Sequence, residues 1–581
     1  MAAQLYTFAT TIQGNFAMST WSIDGYLNYE QLTERLEQLA DDYPDILRLD
    51  TLGRSHGGRE IWLVILTDFA SGEDRHKPAL WLDANIHSAE LVSSMAALNF
   101  IQWLLQNRDA DDISRCLDTR SLYICPRVNP DGAEWALAPV PCIVRSSVRP
   151  YPYDDTLVDG LDMQDLDGDG RILSMRIPDP HGPWKVSEAD ARLLVRRDPA
   201  ESGGDYYRLL PEGLIRNYDG FHLPAASKQE NLDLNRNFPV SWRGEHEQKG
   251  AGRYPASEPE VRALVEFISE HPNICAGLSL HSYSGALLRP YSFRPDSDMP
   301  AEDLWLYQAI GKQGEKLTGY PAVSAYHHFR YHPQQVITGA MDDWLYDAHG
   351  QLAWTVELWS PQRQAGIEDY DFIDWYRDHP VEDDLKLLAW NDTELHGQAF
   401  VDWYSFDHPQ LGKVELGGWD TLFSFWNPPP ALLQQEIARL PEWLLWHSLI
   451  TPRLEWLHCD VVLMDEGLYQ VEAAVVNSGW LPTQVSQLAL KQEMLRGVQF
   501  ELTLPQDANL LQGEWRADVG QLQGRSDKSS SPNGWLGQKL DPTDDRARVQ
   551  WLIEADAGSD ISVTVRHDRA GQLKQTLRLE T

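Results

Sequence analysis

The sequence predicts an α/β fold, a mixed and largely parallel sheet with helices on both faces, followed by a C-terminal all-β sandwich domain. Three observations carry this expectation. Short apolar strands alternate with segments of helical periodicity between residues 21 and 390, a stretch from about 135 to 230 interrupts them, and beyond Pro452 strand-type alternation takes over.

Leu32, Leu36 and Leu39 recur at helical spacing, and the Tyr43-Pro44 step should end that helix because a residue before proline is pushed out of helical geometry. Leu47 and Leu49 lead into Gly57-Gly58, and Ile61, Leu63 and Ile65 alternate beyond it, which reads as two strands with a short connection. Pro78 opens a strand in which Leu80, Leu82, Ala84 and Ile86 share a face, and His87 stands where that strand must end. The following helix buries Leu91, Met95, Leu98, Ile101 and Leu105. A strand at SLYICPRVN, a helix opened by Ser257 and Glu260 as a capping box, and strands at AGLSLHS and AWTVELW continue the pattern.

Residues from about 135 to 230 are rich in Asp, Gly, Pro and Arg and lack sustained periodicity, so they read as a long insertion. Residues 1–20 form a tail, 21–390 the main domain, 391–450 a connecting segment broken at Pro428-Pro429-Pro430, and 451–581 the sandwich. In the sandwich Tyr469, Val471, Ala473 and Val475 alternate before an Asn-Ser-Gly turn, and Ile561, Val563 and Val565 alternate near the end. GRSDKSSSPNG, polar and glycine-bearing, should be a mobile loop between its strands.

At 581 residues the chain exceeds the usual size of one hydrophobic core, which is why several domains are expected. A net charge of −38 with no basic stripe excludes nucleic acid as a natural partner, and no apolar run is long enough to cross a bilayer. The first twenty residues have neither a basic start nor a sustained apolar stretch, so a cytoplasmic location is expected. Cys116, Cys125, Cys142, Cys275 and Cys459 are odd in number, scattered and free of CxxC spacing. They suggest reduced thiols rather than a disulfide framework or a thiolate metal site.

His87-Ser88-Ala89-Glu90 sets a histidine and a carboxylate three residues apart at a strand-to-helix junction, where both side chains can turn toward one metal ion. Alone, the tetrapeptide reads more readily as a capping histidine with a solvated glutamate. A further ligand is available in His281, at the end of another predicted strand, where α/β sheets place their sites.

Taken in chain order, ANIHSAEL, RVNPDGAEW, NLDLNRNF, YPASEPEV, SLHSYSG, and GAMDDW followed by TVELW resemble the zinc metallocarboxypeptidase family, as a carboxypeptidase A-like, bacterial-type member with a long insertion. The resemblance covers roughly residues 25 to 390. It implies a zinc carboxypeptidase-like catalytic domain that binds one Zn2+ through His87, Glu90 and His281, uses Glu357 as catalytic base, and hydrolyses the C-terminal bond of peptide substrates. Two neutral imidazoles and one carboxylate would leave such an ion enough positive charge to acidify water. The same correspondence gives Asp233 as hydrogen-bond acceptor for His87, Asn235 and Arg236 as the pair gripping the substrate's terminal carboxylate, and Tyr283 as a cleft residue.

Some positions depart from the pattern. The family's oxyanion arginine falls in RSSVRPYP, where Arg145 and Arg149 compete and Arg149 is the choice. Gln334 and Gln335 occupy the neighbourhood of the capping tyrosine, with Tyr331 close by, and Ala89 replaces an arginine between the ligands. In the pocket for the leaving residue, Asp342 favours a basic side chain and Arg289 an acidic one; together they predict a polar or charged C-terminal residue. Two other functions fit the same chain: a zinc amidase acting on cell-wall or other modified peptides, and an inactive peptide-binding protein, against which the full set of ligands and Glu357 argues.

Within the insertion Asp165, Asp167 and Asp169 precede Gly170 in a DxDxDG arrangement that resembles the start of a Ca2+-binding loop. Arg176 stands where an EF-hand would have its bidentate glutamate, which excludes a complete EF-hand. An incomplete loop finished by other oxygens and a plain solvated Asp-Gly turn are the two alternatives.

Overall fold

In the computed structural model, which describes residues 23–151, 159–225, 230–332, 334–526, 533–534, 537–538 and 542–580, the strand–helix alternation builds one eight-stranded sheet. Its strands are β1 (Leu47–Arg54), β2 (Glu60–Leu66), β3 (Ala79–Ala84), β4 (Ser121–Cys125), β5 (Ile274–Ser282), β6 (Ala286–Arg289), β7 (Ala322–Ser324) and β8 (Leu352–Leu358), in the order β1-β2-β4-β3-β5-β8-β6-β7. The central strands β4, β3, β5 and β8 run parallel. β3, β5 and β8 are buried at every position, as strands covered on both faces must be.

The principal flanking helices are α1 (Tyr29–Asp42), α2 (Leu91–Gln106), α3 (Pro259–Ser269), α4 (Ala301–Thr318) and α5 (Met341–His349). One face of the sheet packs Leu80, Leu82 and Ala84 with α2 and α4, and the other packs Trp81 with α3 and α5. Ile86 joins the second face and not the first, contrary to the alternation, because Asn85 adopts φ 58° and turns the chain over. The expected capping box of α3 is also absent. Pro259 opens that helix, Ser257 donates to the Glu258 carboxylate, and the Glu260 carboxylate accepts from the His56 N–H.

The insertion contains strands, and they pair with the segment expected to be a connection. Ser174–Pro178, Trp184–Val186, Leu194–Arg196 and Tyr207–Pro211 join Phe400–His408 and Gly412–Trp419 in a six-stranded sheet. Arg176 is thereby paired with Glu415 at 2.7 Å. Beyond that sheet, α6 (Pro430–Ile437) and α7 (Pro441–Leu449) place Leu433, Ile437, Trp443 and Leu444 in the main core. Residues 391–450 are therefore structural parts of the main domain.

Two four-stranded sheets form the C-terminal sandwich around Tyr469, Val471, Phe500, Trp551 and Val563. Residues 527–532 of the expected mobile loop lie outside the described residues. The sandwich is fastened to the main domain: Leu481, Val485 and Leu488 enter the main core, and the buried Asp303 carboxylate accepts from the N–H groups of Gln487 and Leu488 at 2.6 and 3.0 Å. Among the described residues no helix is long and apolar enough to cross a membrane.

His567 sits at this junction, its Nδ1 accepting from the Arg569 N–H and its Nε2 facing Gln521 Oε1, both at 3.0 Å. Burial and then the neighbouring Arg569 push its pKa down to about 3. With a folded pKa below the unfolded value, the unfolded chain binds the extra proton. This contribution to stability is therefore complete above about pH 6.5 and is lost as pH falls toward 3. The melting temperature of His567→Gln is expected to fall less between pH 7 and 5 than that of the parent; parallel curves would assign the loss to other groups.

Candidate active site

Three strand ends build the site. β3 stops at Ala84, and Asn85 follows in left-handed geometry, which asparagine accepts more readily than most residues. Its buried Nδ2 donates to the carbonyl oxygens of His87 at 2.7 Å and Glu90 at 3.3 Å, holding the intervening turn from within. His281 lies in β5 and Glu357 in β8, and the parallel register sets them side by side. Carboxyl ends of central parallel strands are where open α/β sheets form their crevices.

The donor atoms of three residues converge. His87 Nδ1 is 2.8 Å from Glu90 Oε1 and 3.1 Å from His281 Nδ1, which is in turn 2.9 Å from Glu90 Oε2. The far ring nitrogens face other acceptors: His87 Nε2 lies 3.1 Å from Asp233 Oδ1, and His281 Nε2 lies 3.2 Å from Ser279 Oγ, whose hydroxyl donates to Asp83 Oδ1 at 2.7 Å. With each Nε2 as the N–H, both Nδ1 atoms present lone pairs to the same point. Facing lone pairs repel, whereas a cation between them attracts all three donors. A tetrahedral ion with ligands at about 2.1 Å separates its donors by roughly 3.4 Å, so the cluster, with donors 2.8 to 3.1 Å apart, fits zinc with a fourth position open after a small outward shift.

Charge around this cluster is unevenly distributed. Burial alone would raise the Asp233 carboxyl, but Arg145, Arg236 and His87 outweigh it and hold it well below the usual carboxylate range. Glu90 is treated similarly, burial being overcome by the two histidines. Glu357 goes the other way, lifted well above the usual range first by burial and then by the Glu90 carboxylate. A divalent cation in the cluster acts on Glu357 in the opposite sense.

A cleft of about 280 Å³ opens over these residues and is also lined by Arg145, Asn235, Arg236, Tyr283 and Asp342. Asn235 Oδ1 accepts from the Met341 N–H at 2.9 Å, which ties the NRNF loop to the first turn of α5. Gly339 makes this approach possible: a Cβ there would lie 2.3 Å from the Arg236 carbonyl oxygen. Gly132 has a like role in NPDG, where a Cβ would stand 2.7 Å from Ser88 Cβ.

The structure corrects the choice of arginine. Arg149 is bound through Nε and Nη2 to the Glu258 carboxylate at 2.8 and 2.7 Å and does not line the cleft. Arg145 does line it, with Nε 3.0 Å from Asp233 Oδ2 and Nη1 3.7 Å from Glu90 Oε1. Arg289 is likewise engaged, with Asp296 through Nη1 and Nη2, while Asp342 faces the cleft without a paired cation at hydrogen-bonding distance among the described residues. Tyr331, and neither Gln334 nor Gln335, reaches the cleft wall. Asp165 and Asp167 are brought together with Glu212, their carboxylate oxygens within 4.8 Å of one another, whereas Asp169 turns to Arg171 at 2.7 Å.

Sequence reasoning missed Asp83, Ser279, Tyr376 and Trp426. Ser279 precedes His281 by two residues on β5, a spacing that marks a shared strand face, whereas the turn at Asn85 breaks the alternation between Asp83 on β3 and His87. Tyr376 and Trp426 line the cleft beside Tyr283, with ring centroids 5.2 and 5.1 Å from it, and no local motif announces either one.

The fold and this cluster define a metal-dependent hydrolase of the α/β class. Residues 32–374 match the zinc carboxypeptidase family, so the chain belongs to the zinc carboxypeptidases and is a zinc metallopeptidase. Residues 453–578 match a separate domain of unknown function. Carboxypeptidase B2 of Rattus norvegicus is 25% identical over 372 residues, covering 60% of this chain and 67% of the relative. Carboxypeptidase A1 of Sus scrofa is 22% identical over 348 residues, covering 58% and 64%. The chain thus spans about two thirds of the length of these relatives. Among solved structures, carboxypeptidase A from Helicoverpa armigera superposes with a TM-score of 0.39 at 17% identity, covering 66% of this chain and 76% of that one.

Proposed function

We propose that this protein is a zinc metallocarboxypeptidase that removes the C-terminal residue of peptides and prefers a basic one. The observation that carries the reading is the content of one cleft: three converging metal donors, a buried carboxylate beside them, and an asparagine–arginine pair suited to a terminal carboxylate. His87, Glu90 and His281 hold the zinc, which when bound polarises the scissile carbonyl and acidifies water.

Glu357 takes a proton from the attacking water and delivers it to the leaving amine, the work of a general base that becomes a general acid. Arg145 faces the oxygen that gains negative charge. Arg236, with a planar fork, and Asn235 bind the substrate's terminal carboxylate, and Tyr283 and Tyr331 wall the cleft. Asp233 and the Asp83–Ser279 pair orient His87 and His281 through their far nitrogens.

The basic preference rests on Asp342. It is buried in the cleft, and burial raises its carboxyl above the ordinary range, so an incoming ammonium or guanidinium would favour its ionised form and supply the direct ion-pair partner that Asp342 has nowhere among the described residues. The net charge of −38 also draws cationic substrates and repels anionic ones. Two further readings accompany this one. Five free cysteines support a reducing, cytoplasmic setting. The cluster of Asp165, Asp167 and Glu212 supports a Ca2+ site in which Glu212 stands in for the missing loop glutamate and Asp169, paired with Arg171, takes no part.

Glu357→Gln is expected to keep its zinc and lose roughly 10²-fold or more in kcat, as removal of a general base does; parental turnover in that variant would remove Glu357 from the reaction. Asp342→Asn should cut kcat/KM for peptides ending in Lys or Arg by roughly 30-fold or more, the scale of losing one partner of a buried charge pair, while peptides ending in Leu are spared. Equal losses on both classes would contradict the pocket assignment. For the cation, 1 mM Ca2+, an amount that the weakest such loops require, should raise the melting temperature of the zinc-loaded protein. The rise should vanish in Asp167→Ala; an unchanged melting curve leaves only an Asp-Gly turn.

A further inference from the structure

Glu90 occupies an unusual position. It is the N-cap of α2, with φ −85° and ψ 57°, yet its side chain makes no capping hydrogen bond. An N-cap side chain ordinarily accepts from the N–H two or three residues on, satisfying one of the donors that every helix start leaves open. Here that N–H belongs to Val92, and it is taken at 2.9 Å by Oδ1 of Asn427, a residue 335 positions away.

Asn427 is fully buried and uses its amide in both directions. Its Nδ2 donates to the carbonyl of Ala89 at 2.7 Å and of Leu422 at 3.0 Å. Ala89 and Val92 bracket Glu90, so one side chain holds the chain on either side of the carboxylate. The neighbouring residues repeat the arrangement at the other two strand ends. Ser282, next to His281, donates its hydroxyl to the Trp426 carbonyl at 2.7 Å. Trp359, two residues past Glu357, donates Nε1 to the Ser424 carbonyl at 2.8 Å and its backbone N–H to Glu436 Oε1 at 3.0 Å. Trp359 has φ 64°, a strained conformation for a bulky residue that surrounding contacts must hold.

We propose that Asn427 is a positioning residue of the metal site, capping α2 in place of Glu90 so that the Glu90 carboxylate is released to face His87 and His281. The proposal rests on the reading of Glu90 as a metal ligand. Ser424, Trp426, Asn427 and Glu436 lie beyond the stretch matched to the family, and their hydrogen bonds to all three strand ends make these four residues a working part of this active site. Without Asn427, the Val92 N–H draws the Glu90 carboxylate back to its own helix, and the three donors lose their common focus.

The test uses the full chain with Asn427→Ala, Asn427→Asp, Glu90→Ala and Leu433→Ala. Leu433 is a buried core residue of α6 and does not line the cleft, and its truncation controls for general destabilisation. Zinc affinity is read by competition with a chromogenic chelator, ligand geometry by the visible spectrum of the Co2+-substituted protein, and kcat and KM separately. Asn427→Ala should weaken zinc binding about 10- to 100-fold, the usual scale for an outer partner of a metal ligand. It should also alter the Co2+ spectrum and lower kcat with KM within about twofold. Asn427→Asp keeps the acceptor for Val92 and loses the donors; it should fall between Ala and the parent, and it carries the test if the Ala variant does not fold. Leu433→Ala should lower the melting temperature alone. If the Asn427 variants match the parent in zinc affinity and Co2+ spectrum, the proposal fails. If Glu90→Ala retains zinc, it is the ligand reading beneath the proposal that fails.

Discussion

Two imidazole nitrogens and a carboxylate must point at one spot from two strand ends, those of β3 and β5, and the fold is arranged around that requirement. His87 Nδ1 and His281 Nδ1 lie 3.1 Å apart and face Glu90 Oε1 and Oε2 at 2.8 and 2.9 Å, a spacing that the lone pairs resist and a cation rewards. Parallel pairing of β3, β5 and β8 fixes the vertical register, because a slip of one residue would send His281 and Glu357 to the opposite face of the sheet. Complete burial of those strands makes such a slip costly. Register alone leaves the side-chain direction free, and that is settled by the outer partners Asp233 and Ser279, which commit each ring to a single tautomer.

The same cluster sets the electrostatics of the cleft. Glu90, Asp233, Glu357 and Asp342 are all buried there, and Arg145 and Arg236 balance only part of their charge. The carboxylates next to the arginines and histidines are held ionised, while Glu357 and Asp342 are pushed toward the neutral form by burial. In the proposed function a divalent ion on one side and a cationic substrate side chain on the other would complete the balance. Each favours the ionised form of the carboxylate nearest to it. Metal, base and pocket are thus coupled through charge as well as through shared loops.

Much of this site was legible in the sequence because its signals are local. A histidine and a glutamate three apart at a strand end, and a second histidine closing another strand, require only short-range periodicity to be recognised. Which of Arg145 and Arg149 faces the cleft could not be read from the sequence because both sit in one short stretch at the edge of the insertion. What separates them is Glu258, over a hundred residues further on, which captures Arg149. The face occupied by Ile86 depended on a backbone angle at Asn85 that strand alternation does not encode. The six-stranded sheet joining the insertion to residues 400–419 escaped notice for the same reason as Asn427: partners separated by hundreds of positions leave no trace in local pattern. A faint mark does exist at Asn427, since Pro428 biases it to the extended geometry observed, φ −138° and ψ 150°.

Among the described residues the C-terminal sandwich holds none that line the cleft, yet it reaches the cleft through a helix. α5 begins at Met341-Asp342, inside the pocket, and ends at His349, followed by Gly350 in left-handed geometry. The carbonyl oxygens at that end are the ones a helix leaves without partners. Arg569 of the sandwich donates to the carbonyls of His349 and Gly350, and Ser486 donates to Gly350 at 2.7 Å. The buried guanidinium also places a positive charge at the negative end of the helix dipole. One end of α5 is therefore clamped by the sandwich and the other by Asn235, whose Oδ1 holds the Met341 N–H. A helix fixed at both ends cannot rotate to carry Asp342 away from the cleft, so the sandwich contributes to the shape of the pocket from the far side of the domain.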